Sequence, residues 1–456
     1  MSTNKSKTRE LILNGNLYKV LFLISFPIVI TNIIQAFYDL TDMFYVGKLG
    51  AMPLSALSLA GPVNFFIMAI AMGMATGSIS LMSRCIGEGN FSRFSRYAGQ
   101  LIVLNLVLSL FITICVFFLI EHLLDLLGAK GELKELSRVY FYVTIFGIPI
   151  MFLSISITYI LNAQGETILS MTIVLFANIV NFVLDPILIF SFNMGIAGAA
   201  WATLFSKLLT VAFYLFLTYR LNYGLKIHLK DLMIDIRSIK EIVNLGLPST
   251  FGQIMVSLSF FIFNYIVIEI SPKFLAAYGL TNTIISFLFL PAMGIGTGII
   301  SIVGQNLGAK KINRVGEVLK KGFFISLAIL LIINSIVIFN KQLILGLFTN
   351  DLEVLNYANN YLLLTTIGTF GYGLQQVFFG GLIGSGRTKI AMIVIFIRLW
   401  LIRLPVVFIF QYFGIIENSL GYAFIISNYL AIIILVAFTC TRYWAKPILI
   451  KNTNSN

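Results

Sequence analysis

The sequence predicts an all-α membrane protein: twelve transmembrane helices in two six-helix bundles, related by a pseudo-two-fold axis along the membrane normal. Three observations carry that prediction. Of the 456 residues, 59% are hydrophobic and only 11% charged, against about 25% charged in an average soluble domain. Apolar stretches of the roughly 20 residues that a helix needs to cross a hydrocarbon core recur along almost the whole chain. The two halves also repeat one another at a fixed offset.

In order, the spans run 21–46, 54–82, 97–120, 140–162, 167–192 and 197–219, then 239–270, 275–303, 319–339, 355–384, 390–413 and 419–443. Each ends where the chain turns polar or glycine-rich. GKLG closes the first, RCIGEGNFSRFSR parts the second from the third, and the charged stretch 121–139 precedes the fourth. AQGE and NMG mark the next two turns, and the basic linker 219–240 joins the halves. The later breaks fall at SPK, GQNLGAKK, the polar 340–354, GSGRTK and GIIEN. Helices are the elements these stretches can form, since unpaired backbone cannot face lipid and the alternation of a barrel strand is absent. The expected domains are a tail 1–16, an N-lobe 17–230, a C-lobe 231–445 and a tail 446–456.

A shift of 221 residues aligns Pro27 with Pro248 and runs without a gap to Gly87 against Gly308. Of those 61 positions 15 are identical, which fixes the register. The densest block, AMGMATGSIS against AMGIGTGIIS, carries Gly-x-x-x-Gly at Gly73 and Gly77 and again at Gly294 and Gly298, a pattern that lets helix backbones approach closely. The offset still pairs Gly147 with Gly368 and Thr167 with Thr388. Six spans is an even number, so both copies enter from one side of the membrane, the plan of an alternating-access carrier with its cavity between two bundles.

Of the 31 Lys and Arg, 22 fall in tails and loops on one side, six on the other and three inside spans. Positive loops stay in the cytoplasm, which sets both termini there. The net charge of +13 is the mark of those loops, spread too thinly to bind nucleic acid. Residues 1–16 lack the apolar core and cleavage site of a removable signal. Cys85, Cys115 and Cys440 lack metal-ligand spacing and read as free thiols. His122 and His228 both lie in loops, and neither a protease motif nor a phosphate-binding loop occurs, so an enzyme or an ATP-driven pump is not expected.

Ionisable groups inside spans are costly and mark functional pathways. In PIVITNIIQAFYDLTDMFYVG, Gln35, Tyr38 and Asp42 fall on one helical face, with Asp39 beside them. In ANIVNFVLDPILIF, Asn178, Asn181 and Asp185 follow the same three-and-four spacing, and Pro186 weakens the backbone ladder next to the carboxylate. Two carboxylates with amides and hydroxyls around one cavity can ligate a monovalent cation or share a proton. Arg398 and Arg403, five residues apart, do not share an α-helical face closely. They either tie to carbonyls or to Gln375 and Gln376, or line the cavity. Lys207 leaves the same choice open.

The run from Pro27 through YDLTDMFYVGKLG to LSALSLAGPV, then NIVNFVLDPILIF followed by GIAGAAWAT, and the repeated GQNLGAKK and GLIGSGRTK together resemble the multidrug and toxic compound extrusion (MATE) family, over about residues 18–444. The resemblance implies a coupling site in the N-lobe, where Asp42, Asn181, Asp185 and Thr203 bind Na+ or take up a proton. It places Gln35, Tyr38, Asp39 and Asn178 along the substrate cavity and makes Pro27 the kink at which the first helix bends to expel substrate. One branch of the family carries acids in its seventh and tenth helices. Here Gln253, Asn264, Gln375 and Gln376 stand there, and Glu269 is the only acid, which points to the branch of the DNA-damage-inducible members with coupling confined to the first lobe.

The expected function is therefore secondary export of cationic or amphipathic drugs against Na+ or H+, without a cofactor, by a monomer in the lipid bilayer of the plasma membrane. Aromatic faces, from 41 Phe and 19 Tyr, suit organic cations. The alternative is a flippase for a lipid-linked saccharide, which Arg398, Arg403 and Lys207 would suit and the acid pair opposes.

Overall fold

The computed structural model describes residues 3–220 and 225–441, all helix and connecting turn with no strand among them. The basic residues Arg442, Lys446 and Lys451 and the tail 446–456 lie outside the described residues. The N-lobe holds α2 (Leu17–Gly47), α3 (Ala51–Glu88), α4 (Phe91–Leu126), α5 (Gly131–Gln164), α6 (Thr167–Pro186) and α7 (Ile196–Leu215). The C-lobe holds α8 (Ile236–Ile270), α9 (Pro272–Gly308), α10 (Ile312–Phe339), α12 (Leu352–Gly384), α13 (Thr388–Phe396) continued by α14 (Leu404–Tyr412), and α15 (Ser419–Cys440); the short α11 (Lys341–Gly346) follows α10.

Three features add to the sequence reading. The tail 1–16 contains a helix, α1 (Thr3–Asn14). Ile12 is fully buried, and α1 braces both lobes. The Arg9 guanidinium donates to the Ile86 and Gly87 carbonyls of α3, each at 2.8 Å, and that of Arg314 on α10 donates to the Ile12 carbonyl at 3.2 Å. Eleven of the twelve expected spans are apolar enough by composition to cross a membrane. The remaining one, α12, has 33 residues, ample length at about 1.5 Å per residue. It is rich in Gly, Thr and Gln because it packs between α9, α10 and α15, where small residues serve close approach better than bulk does. Finally, the span at 390–413 is not one continuous α-helix, because residues Ile397–Arg403 wind as a π-helix between α13 and α14.

The lobes meet along the halves of α2, α3, α8 and α9 nearer the termini. Gly73 and Gly77 of α3 face Thr250, Leu245 and Gly246 of α8, while Gly294 and Gly298 of α9 face Val29 and Ser25 of α2. A Cβ at Gly77 would strike the Leu245 carbonyl, and one at Gly298 would strike Ser25. Thr250 and Val29 are themselves repeat mates at the 221-residue offset, as are Gly246 and Ser25. The seam is thus one contact made twice. Over it the linker docks on the N-lobe: Gln100 donates to the Asp231 and Met233 carbonyls at 2.8 and 2.7 Å and accepts from the Asp235 amide at 2.9 Å.

Candidate functional site

Inside the N-lobe, α2, α6 and α7 bring the sequence-derived polar residues to one place. Asp42, Asn181 and Asp185 are buried. The Thr203 hydroxyl donates to Asp42 Oδ2 at 3.2 Å, and Asn181 Nδ2 donates to Asp185 Oδ1 at 3.3 Å. The Asp42 and Asp185 carboxyl groups are close enough to interact through their charges, and because two carboxylates are both acceptors, a hydrogen bond between them would need a proton on one. Three buried oxygens at this point, Asp42 Oδ1, Asn181 Oδ1 and Asp185 Oδ2, have no hydrogen-bond partner.

A layer of side chains borders this cluster. The Tyr38 hydroxyl lies 3.5 Å from Ser206 Oγ. Gln35 donates to Asp39 Oδ1 at 3.2 Å and accepts from Lys207 Nζ at 3.3 Å, while the ammonium stands 4.8 Å over the Tyr38 ring. Lys207 is therefore part of the N-lobe site, joined to Asp39 through the neutral amide of Gln35. Asn178 is half-buried and its Nδ2 has no partner; no hydrogen bond joins it to Asn181 or Asp185. Just past Asp185 and Pro186 the helix winds as a π turn, Ile187–Ser191, a distortion that often marks functional positions.

Pro27 lies within α2. Lacking an N–H, it cannot serve the carbonyl of Leu23 one turn earlier. The Thr167 hydroxyl, from the first residue of α6, donates to that carbonyl at 3.3 Å. The sequence carried no sign of this tie beyond the threonine's recurrence as Thr388.

In the C-lobe, the expectation that Arg398 and Arg403 occupy different faces is corrected by the π turn. Its i→i+5 bonding stacks residues five apart. Arg398 Nη1 and Arg403 Nη2 both donate to Asn428 Oδ1, at 3.1 and 3.0 Å. Gln375 reaches the same oxygen at 3.3 Å, and Gln376 donates instead to the Tyr372 hydroxyl at 3.0 Å. Asn428, the hub, was missed, although it is the repeat mate of Lys207 at the 221-residue offset. Among the described residues no group of three or more His, Cys, Asp or Glu could hold a metal.

The MatE family profile matches residues 27–187 and 248–409, one segment in each lobe. A probable multidrug resistance protein, YoeA, of Bacillus subtilis (strain 168) is 26% identical over 407 residues, 87% of each chain. The multidrug export protein MepA of Staphylococcus aureus (strain MSSA476) is 24% identical over 394 residues, 86% of this chain and 87% of that one. A solved outward-facing multidrug resistance transporter of the MATE family and MOP superfamily superposes with a TM-score of 0.89 at 25% identity, over 94% of this chain and 97% of that one.

Proposed function

The chain belongs to the MATE family, and from that premise we propose that it is a secondary active multidrug exporter, driving cationic or amphipathic organic compounds outward against Na+ or H+ by alternating access. The observation that carries the coupling is the set of three buried, unpartnered oxygens on Asp42, Asn181 and Asp185. Two carboxylates enclosed in a low-dielectric bundle repel each other. A cation ligated by those oxygens and the Thr203 hydroxyl, or a proton shared between the carboxyls, relieves that repulsion. The donor set is all oxygen and suits a hard monovalent ion as well as a proton.

Binding is then linked to shape through α2, which carries Asp42 beyond the proline and seam residues Ser25 and Val29 beside it. Neutralising Asp42 and Asp185 lets the far part of α2 draw toward α6 and bend at Pro27, narrowing the space beside Gln35, Tyr38, Asp39 and Asn178, where substrate sits. Among the described residues no acid is buried in the spans of the C-lobe, which favours coupling confined to the N-lobe and the branch of the DNA-damage-inducible members. With the basic loops and termini in the cytoplasm of a plasma-membrane protein, the glycine seam closes the inner side. One chain contains both lobes and functions as a monomer.

The test is export of a fluorescent organic cation from liposomes holding the purified protein, with Na+ and pH gradients imposed separately. Asp185→Asn is expected to reduce gradient-driven export to background, and the gradient that drives the wild type names the ion. Full export by Asp185→Asn under both gradients removes the carboxylate from the mechanism.

A further inference from the structure

The C-lobe holds two positive charges that this coupling scheme does not use. Arg398 is only 4% exposed, and Arg403 is half-buried beside it. Asn428 Oδ1 is served by three donors, two of them cationic: Arg398 Nη1, Arg403 Nη2 and Gln375 Nε2. An amide oxygen has two lone pairs, so this hub is over-subscribed. Arg403 Nε donates to Ser427 Oγ at 2.9 Å, while the buried Nε of Arg398 has no partner. Among the described residues neither guanidinium has a carboxylate within 4.0 Å. One buried and one half-buried cation around a single neutral amide lack the counter-charge that ions withdrawn from water require.

The walls say what shape of counter-charge fits. Arg403 stands 4.6 Å from the centre of the Phe424 ring and 5.9 Å from that of Phe263, and Arg398 stands 5.6 Å from that of Tyr372. The guanidinium donors all lie in its own plane, a fork that matches a carboxylate or phosphate, and the neighbouring rings supply no competing acceptor of that shape. We propose that the Arg398–Arg403 pair receives one carboxylate- or phosphate-type oxyanion carried on an amphipathic compound. The inference rests on the exporter reading for the compound's route and on the C-lobe geometry for its recognition. A purely structural role, tying the π turn to α15, would be blind to the charge of a bound compound.

Two dyes separate these readings. Rhodamine 110 has a free carboxylate, and rhodamine 123 is its methyl ester. Their affinities for the full-length protein in phosphatidylcholine nanodiscs are read by fluorescence anisotropy. Arg403→Gln is expected to lower the acid-to-ester affinity ratio about tenfold, the usual scale for a hydrogen bond to a charged group. Asn428→Asp supplies an internal carboxylate to the pair, leaves the packing in place, and is expected to lower the ratio by a similar factor through competition. A ratio unchanged in both variants overturns the proposal. Adding phosphatidylglycerol to the nanodiscs identifies the source of the anion: displacement of the acid dye supports the site with a lipid phosphate as occupant, and no displacement supports it with a soluble compound. The binding assay needs no gradient. Failure of gradient-driven ester export by the wild type therefore counts against the exporter reading alone, and failure of the affinity ratio to change counts against the oxyanion site alone.

Discussion

In the N-lobe, Asp42 on α2 accepts from the hydroxyl of Thr203 on α7. At the 221-residue offset, Phe263 and Phe424 take those two places, and the guanidinium of Arg403 lies against both rings. The reversal continues along the same helices. Lys207 is a cation held by a neutral amide, Gln35, whereas its mate Asn428 is a neutral amide holding two cations. Ser206 faces Tyr38 and its mate Ser427 faces Arg403. The seam was kept in both copies, because each glycine there meets backbone or a small side chain that leaves no room for another residue. The lobe interiors had no such constraint and diverged to opposite sign. A duplicated scaffold therefore conserves its contacts with its own mate and is free to change the charges it encloses.

The largest expected effect tests that asymmetry directly. Asp42→Asn is expected to abolish gradient-driven export in liposomes, while Phe263→Leu at the mate position leaves the dependence on the gradient in place; loss of that dependence in Phe263→Leu would erase the distinction between the lobes. The seam comes next, and here the lobes should behave alike. Gly77→Val and Gly298→Val each overpack a close helix–helix contact, at a cost of about 1–3 kcal/mol, and each is expected to make Cys85 near the seam more reactive toward a thiol reagent. An effect from only one of the pair would show that the two contacts are unequal.

A smaller difference is expected at the hinge. Thr167→Val removes the donor to the Leu23 carbonyl, worth about 1 kcal/mol, and should lower the unfolding temperature of the purified protein. The Thr388 hydroxyl has no partner, so Thr388→Val should not. The smallest effect concerns the caps. Asn16 caps α2 with an amide that does not titrate, accepting from the Tyr18 and Lys19 amides. Asp235 caps α8 with a carboxylate that is held below the usual value by the Ser238 hydroxyl first, then by the Ser238 and Arg237 amides and nearby Arg96. A depressed carboxyl stabilises fully above its unfolded pKa of about 3.9 and loses that contribution as pH falls through its lower folded value. Hydrogen-exchange protection of the first turn of α8, corrected for intrinsic rates, should therefore drop on acidification relative to the first turn of α2.

The sequence made the architecture legible because lipid enforces long apolar helices and duplication prints its register on them. The acids were legible for a related reason: a carboxylate at Asp42 or Asp185 has no inexpensive place in a bilayer, so its presence is informative by itself. What stayed hidden depends on helical winding. The spacing of Arg398 and Arg403 excludes a shared face only if the backbone is α-helical, and the π turn reverses that conclusion. The role of Thr167 was hidden too, since a serviceable hydroxyl beside a proline's orphaned carbonyl is a fact of packing between helices. The composition of α12 understated its place in the core, because a helix surrounded by protein need not advertise hydrophobicity.

One helix touches both halves of the coupling problem. The first residue of α6, Thr167, holds the carbonyl that Pro27 leaves free in α2, and near the other end Asp185 stands in the proposed ion site. Those two residues are about 27 Å apart at 1.5 Å per residue, spanned by unbroken α-helix. A helix of that length behaves as a pushrod, stiff along its axis, tied to α2 at Leu23 by one end and packed along α2 over its length. If the proposed site takes an ion, any displacement of the carboxylate would be delivered along this helix to the carbonyl beside the proline, gearing the charge to the bend through the protein itself.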